Sequence, residues 1–242
     1  MTKKFIWPIV AVFSALLISP GLRSQNTLTD LEKREGYVLL FDGKSTDGWR
    51  GYQKDHVPAK WVVEEGTLHL NPKADGDGGD IMIDKKFSDF HLKLEWKIEQ
   101  GGNSGILYLG SEDPQYYAIY VTAPEMQILD NDRHPDSFLG TDGNRKAGSL
   151  YDLIPADSLN FKGADVWNTA EIIVENNHVK HIQNGEIVVE YEYGTQMWDA
   201  MVARSKFPAL NPDWKNLQEE GYIGLQDHGN NVWFRNIRIK EL

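Results

Sequence analysis

The stretch Phe90-His-Leu-Lys-Leu-Glu-Trp-Lys-Ile98 constrains the fold more than any other. Phe90, Leu92, Leu94, Trp96 and Ile98 fall on one face of an extended chain, and His91, Lys93, Glu95 and Lys97 on the other. A period of two over nine residues cannot form an amphipathic helix; it predicts a strand with one buried and one wet face. Shorter segments of the same kind lie at 61–63, 67–70, 81–83, 105–109, 126–129, 169–175, 179–183, 187–191, 222–226 and 232–239, and Tyr37-Val-Leu-Leu-Phe41 opens the folded part. Glu65-Gly66 and Asn184-Gly185 separate paired segments, and Asn-Gly is the strongest short hairpin signal. Many short antiparallel strands with glycine-bearing turns predict an all-β sandwich or jelly roll. A single domain is expected from about residue 36 to the C-terminus of the 242-residue chain.

Two segments break the pattern. Residues 131–165 are rich in Asp, Gly, Asn and Pro and predict a long loop, a feature usually tied to function in a compact β-domain. Residues 195–206 predict one short helix. At the N-terminus, Lys3 and Lys4 precede the apolar run Phe5–Ile18, and Pro20, Gly21 and Ser24 break it. This pattern predicts a secretory signal peptide over residues 1–24 and a soluble periplasmic or secreted chain starting near Gln25.

The net charge of −11 argues against nucleic acid and anionic membrane surfaces as partners, since both require a basic face. The absence of cysteine excludes disulfides, a thiol nucleophile and a lipidated N-terminal Cys. Phosphate-binding glycine loops and the H-E-x-x-H zinc signature are also missing.

Four constellations can carry chemistry. In Glu125-Met-Gln-Ile-Leu-Asp130, Glu125 and Gln127 share a strand face while Met126 and Ile128 point to the core. The spacing is similar to the E-x-D-x-x-E strand of jelly-roll endoglucanases, with Gln127 in place of the middle Asp and Asp130 in place of the last Glu. Asp130 would have to close a gap of about 5 Å to act as the second carboxylate of a retaining glycosidase. In Gly221-Tyr-Ile-Gly-Leu-Gln-Asp-His228, Ile223 and Leu225 face inward, and Gln226 and His228 outward at a strand end, where a general base or ligand can sit. His181 lies three residues before the Asn184-Gly185 turn, either on a solvated hairpin face or in a functional role. Gly102-Asn103-Ser104-Gly105 is either a plain turn or a place where backbone and amides approach a ligand.

Taken with Leu39-Leu-Phe-Asp-Gly-Lys44, Gly48-Trp49, Trp167-Asn168, Ser205-Lys-Phe207 and Trp233-Phe-Arg-Asn236, these segments resemble the 3-keto-disaccharide hydrolase family from about residue 36 to the C-terminus. The resemblance implies a concanavalin A-like jelly roll of two antiparallel sheets. It also implies cleavage of glycosides already oxidised at C3 by a partner sugar oxidoreductase, through C1–C2 elimination and hydration or net hydrolysis. Family members often have Thr just after the stretch matching Gly79-Asp80-Ile81, where this chain has Met82 and Ile83.

The 3-keto group acidifies the C2 proton, so a base can remove it. The resulting enolate needs hydrogen-bond donors or a divalent metal. No cofactor is certain from the sequence. The expected catalytic residues are Glu125, Gln127, His181 and His228, with Glu125 or His181 as the base. The expected substrate contacts are Glu95, Asn103, Ser104, Asp130, Trp167 and Gln226. Competing readings are a non-catalytic carbohydrate-binding module with Trp49, Trp61 and Trp167 as an exposed aromatic row, and an adhesion domain without a cleft.

Overall fold

Both hairpin signals are realised. Glu65, Gly66, Asn184 and Gly185 all have positive φ, as a tight two-residue hairpin turn requires at its central positions. They join β3 (Trp61–Glu64) to β4 (Thr67–Leu70) and β10 (His178–Gln183) to β11 (Glu186–Glu192). The computed structural model describes residues 25–157 and 160–242; the expected signal peptide lies outside the described residues.

The other strands are β1 (Val38–Leu39), β2 (Trp49–Gly51), β5 (Ile81–Phe87), β6 (Phe90–Ile98), β7 (Asn103–Gly110), β8 (Glu125–Leu129), β9 (Asn168–Glu175), β12 (Gly221–Leu225) and β13 (Val232–Glu241). They form two antiparallel sheets. One runs β11-β10-β9-β6-β13-β4-β3, with β1 added against β13; the other runs β2-β5-β12-β7-β8. The first strand read from the sequence behaves as its period demands: along β6, buried and half-buried residues alternate without a break. Phe90, Leu92, Leu94, Trp96 and Ile98 meet Ile106, Met126, Ile128, Ile223 and Leu225 from the smaller sheet in one core.

The five-stranded sheet departs from the half-wet pattern. Every residue of β7 and β8 is buried, because loops cover its outer face. Tyr52, Met82, Leu107, Ile119 and Ala123 form a second apolar cluster there. Gly110 and Gly224 permit it: a Cβ on Gly110 would lie 2.7 Å from Ile119, and one on Gly224 3.2 Å from the same side chain. Met82, which departs from the family pattern, therefore supports the 119–123 segment, and Ile83 joins the main core.

Residues 148–151 of the predicted 131–165 loop run along the outer edge of β8. Gln127 N donates to Ser149 O at 3.0 Å, Gly148 N to Gln127 O at 2.9 Å and Tyr151 N to Glu125 O at 3.0 Å. The edge is thereby paired by loop backbone instead of being left open.

The short helix expected over 195–206 is present as α2 (Gln196–Val202), and among the described residues two further helices correct the expectation of a single one: α1 (Asp30–Arg34) and α3 (Phe207–Leu210). Helix α1 starts at a capping box in which Thr29 and Glu32 satisfy each other's backbone N–H groups. Among the described residues, no helix is long and apolar enough to cross a membrane.

Candidate active site

β8 leaves Met126 and Ile128 in the core and turns Glu125 and Gln127 to the outer face of the smaller sheet. There they meet Asn103 from β7, Gln226 and His228 just past β12, Tyr120 and Tyr151 from the covering loops, and Lys206 ahead of α3. Together these residues line a polar cleft of about 130 Å³.

Each wall has an identifiable support. Ser104 Oγ donates to Gln226 O at 2.8 Å, and Gln226 N donates to Gly105 O at 3.0 Å, which pins the strand end that carries Gln226 and His228. Asn103 N donates to Asn230 Oδ1 at 3.2 Å, while its own buried Oδ1 has no partner. Gln127 Oε1 accepts from Ile128 N at 2.9 Å, leaving its Nε2 for the cleft. The rings of Tyr191, Trp198, Trp214 and Phe207 stack in series, at 5.4, 5.7 and 3.9 Å between neighbours. Trp214 Nε1 also donates to Tyr120 O at 3.2 Å. One aromatic stack thus fixes both the Lys206 segment and the Tyr120 segment against the sheet.

Glu125 is the one carboxyl among the lining residues. It is 5% exposed, and burial pushes it up to about 8, with Lys206 opposing and Asp80 and Asp136 reinforcing the shift. Room for its side chain comes from Gly105, where a Cβ would stand 2.2 Å from Glu125 Oε1 and 2.7 Å from its Cδ. Gly105 is therefore a close-approach glycine inside β7, not a turn residue. Across the cleft, Lys206 Nζ donates to Tyr151 Oη at 3.2 Å, and Tyr151 Oη donates to Asp136 Oδ2 at 2.8 Å. Arg145 bridges Asp136 and Asp152, at 2.7 Å to each. At the other end, the rings of His228 and His134 meet edge to face at 5.7 Å. Burial and the neighbouring His228 hold His134 below the usual imidazole range.

Of the residues expected from the sequence, Glu125, Gln127, His228, Asn103 and Gln226 come together in this cleft, and Ser104 lies beneath it. The other four do not reach it. His181 is fully buried between the sheets, its Nε2 2.8 Å from Tyr108 Oη and its Nδ1 3.1 Å from Gly148 O. Burial depresses it to about 4. It shares its strand face with Val179 and Gln183, and Val179 alone sets that face inward. Asp130 accepts from Gly101 N at 2.8 Å and from Asp132 N at 3.1 Å, and pairs with Arg133 at 3.2 Å. It organises a loop, so the two-carboxylate glycosidase arrangement is absent from the cleft. Glu95 lies on the outer face of the larger sheet, accepting from Arg235 Nε at 2.8 Å and Asn236 Nδ2 at 2.7 Å. Trp167 lies under Arg235, with 3.9 Å from the guanidinium to the ring centroid. Trp49 and Trp61 are buried and donate to Leu40 O and Gly79 O, so the three tryptophans form no binding row. Among the described residues, no three His, Asp or Glu side chains converge as a metal-ligand set. Tyr120, Tyr151 and Lys206 were not expected in the site. They come from segments with no period, and only Ser205-Lys206-Phe207 had stood out, without a role.

Residues 36–240 match the family model described as a 3-keto-alpha-glucoside-1,2-lyase-like domain. The chain is 46% identical over 229 residues to a 3-keto-disaccharide hydrolase from Bacteroides thetaiotaomicron, covering 86% of this chain and 79% of that one. A crystal structure from Parabacteroides distasonis, of a suspected glycosyl hydrolase, superposes with a TM-score of 0.82 at 32% identity, covering 90% of this chain and all of that one. A second from the same organism, also a suspected glycosyl hydrolase, gives 0.62 at 26% identity, covering 99% of this chain and 95% of that one. The two-sheet fold, the cleft and these similarities agree: the protein is a glycosidic-bond-cleaving enzyme and belongs to the 3-keto-alpha-glucoside-1,2-lyase-like family.

Proposed function

We propose that the cleft cleaves glycosides that already carry a ketone at C3 of the sugar, by elimination across C1–C2 followed by addition of water. The observation that carries this reading is the lone buried carboxyl. Glu125 has no second carboxyl among the residues lining the cleft, as double displacement or inversion would need. A basicity raised to about 8 suits it to remove a carbon-bound proton. A C3 ketone makes C2–H acidic enough for such a base. The C2–H pair first becomes the C2=C3 bond of the enolate. The enolate then re-forms its carbonyl, creates C1=C2 and expels the C1 oxygen. Protonation of that oxygen by Glu125 or by water completes the elimination. Water added across C1=C2 makes the net reaction a hydrolysis, which accommodates both the lyase-like family description and the hydrolase name of the Bacteroides relative. Gln127 Nε2, the Asn103 amide and His228 line the space where the sugar would sit.

Such a substrate must be made by an oxidoreductase acting at C3, so that enzyme class is the expected partner in the reaction sequence. The basic start and apolar run of residues 1–24 support export. The test uses a glucoside and its 3-keto form, each deuterated at C2. Elimination predicts turnover of the keto form with loss of deuterium to solvent. Full retention of deuterium in the product, or equal rates on both sugars, would return the argument to direct hydrolysis.

A further inference from the structure

We propose that Lys206 is a catalytic residue, the cation that receives the C3 oxygen of the substrate as Glu125 removes the C2 proton. The inference rests on the 3-keto-glycoside reading and adds the group that makes the ketone necessary. Lys206 Nζ has three N–H donors, and one is spent on Tyr151 Oη at 3.2 Å. Tyr151 cannot take the charge away, because its own proton is committed to Asp136. Glu125, Asp152 and Asp136 attract the ammonium and Arg145 repels it, yet among the described residues none of the three carboxyls pairs with it, Asp136 and Asp152 being paired with Arg145 instead. The rest of its surroundings are ring faces: Tyr151 at 4.3 Å, Phe207 at 5.8 Å and Tyr120 at 6.0 Å from Nζ to the centroid. A lysine kept only for stability would be expected to close an ion pair. This one lines the same cleft as Glu125 and has two donors beyond the one given to Tyr151.

The scaffold keeps it there. Lys206 N donates to Asp152 Oδ2 at 3.2 Å, Ser205 Oγ accepts from Phe207 N at 3.2 Å, and Phe207 stacks on Trp214. Burial lowers the lysine below its ordinary range, and in the same water-poor surroundings a negative charge forming on the C3 oxygen interacts with the ammonium more strongly than it would in bulk water. As the C2–H bond breaks, its proton passes to Glu125 and its electrons form C2=C3. The carbonyl π pair moves onto the C3 oxygen, where the spare N–H groups of Lys206 meet it. An alcohol at C3 offers no such charge, so this arrangement discriminates in the transition state and not merely in binding.

The experiment compares wild type, Lys206→Gln, Lys206→Arg and Tyr151→Phe on a C2-deuterated 3-keto-glucoside, with a thermal melt of each variant. Lys206→Gln is expected to lose about 10²–10³-fold in kcat and in deuterium release, with KM changed only a few-fold. Arg keeps the charge and should recover at least about tenfold of that loss, and Tyr151→Phe should fall between. Wild-type kcat in Lys206→Gln would overturn the proposal while leaving the elimination reading intact. So would a reduced sugar adduct trapped on Lys206 by sodium cyanoborohydride, which would make the lysine an imine-forming nucleophile. Wild type that ignores the 3-keto sugar would sink both readings together.

Discussion

Replacing Glu125 by Gln should stabilise the protein, and the gain should grow with pH. The native state favours the protonated carboxyl, holding it near 8 against an ordinary value of 4.5. The stability contributed by that protonated form is therefore fully present below pH 4.5 and is lost as pH rises through 8. At about 1.4 kcal/mol per pH unit, wild type gives up roughly 3 to 4 kcal/mol from this group between pH 5 and pH 8.5. Glutamine has the shape of the neutral acid and cannot ionise, so Glu125→Gln should escape that loss. A difference of this size corresponds to roughly 10 °C in Tm for a domain of this length. The assay is urea or thermal unfolding of both proteins at pH 5, 6, 7 and 8.5, with kcat on a 3-keto-glucoside measured alongside. The two stability curves should nearly coincide at pH 5 and diverge steadily above it, while kcat falls by about 10² or more. A difference in stability that does not depend on pH would refute the claim that this buried carboxyl is held protonated. The same trade would explain why a costly carboxyl sits in a cleft whose other lining residues are amides, phenols, one lysine and one histidine.

Three other outcomes follow from the same geometry. Gly105→Ala places a methyl group 2.2 Å from Glu125 Oε1; the carboxyl must swing away, and kcat should drop by at least about tenfold at a stability cost of roughly 1–3 kcal/mol, measured by kinetics and by a melt. His181, depressed to about 4 from 6.5, contributes stability that is present above pH 6.5 and lost as pH falls through 4, up to about 3 kcal/mol; acid unfolding of His181→Gln should lack that component. Asp130→Asn should lower Tm through its loop contacts and leave kcat within about twofold, whereas a large loss of kcat would restore Asp130 to the chemistry.

Much of the site could be read from strand parity. Met126 and Ile128 identify the core face of β8, so Glu125 and Gln127 had to share the other. Ile223 and Leu225 do the same for the strand that delivers Gln226 and His228. The same rule applied to Val179 would have sent His181 inward, and Leu94 and Trp96 do send Glu95 to the outer face of its sheet. Parity says which residues share a face, but not which face of which sheet holds the cleft. Glu95 and Glu125 are both outward residues, yet they lie on opposite outer surfaces of the sandwich. Tyr120, Tyr151 and Lys206 left no periodic trace because their backbones are irregular. Their positions depend on contacts with distant strands: the edge pairing of 148–151 with β8 and the aromatic stack through Trp214.

From the sequence alone, the class of fold was determined, because alternation and positive-φ turn residues are local properties of a strand and its hairpin. So was the identity of the strand faces, since one apolar neighbour sets the parity of every residue on the same strand. Only the tertiary structure decided that the loop-covered outer face of the five-stranded sheet carries the chemistry. It also decided that Asp130 is a loop anchor and His181 a core residue, and that Glu125 faces a lysine. The reason is physical: desolvation and charge pairing depend on everything packed around a group. At Glu125 that packing comes from five separate stretches of chain brought together only when the sheets close and the loops fold over them.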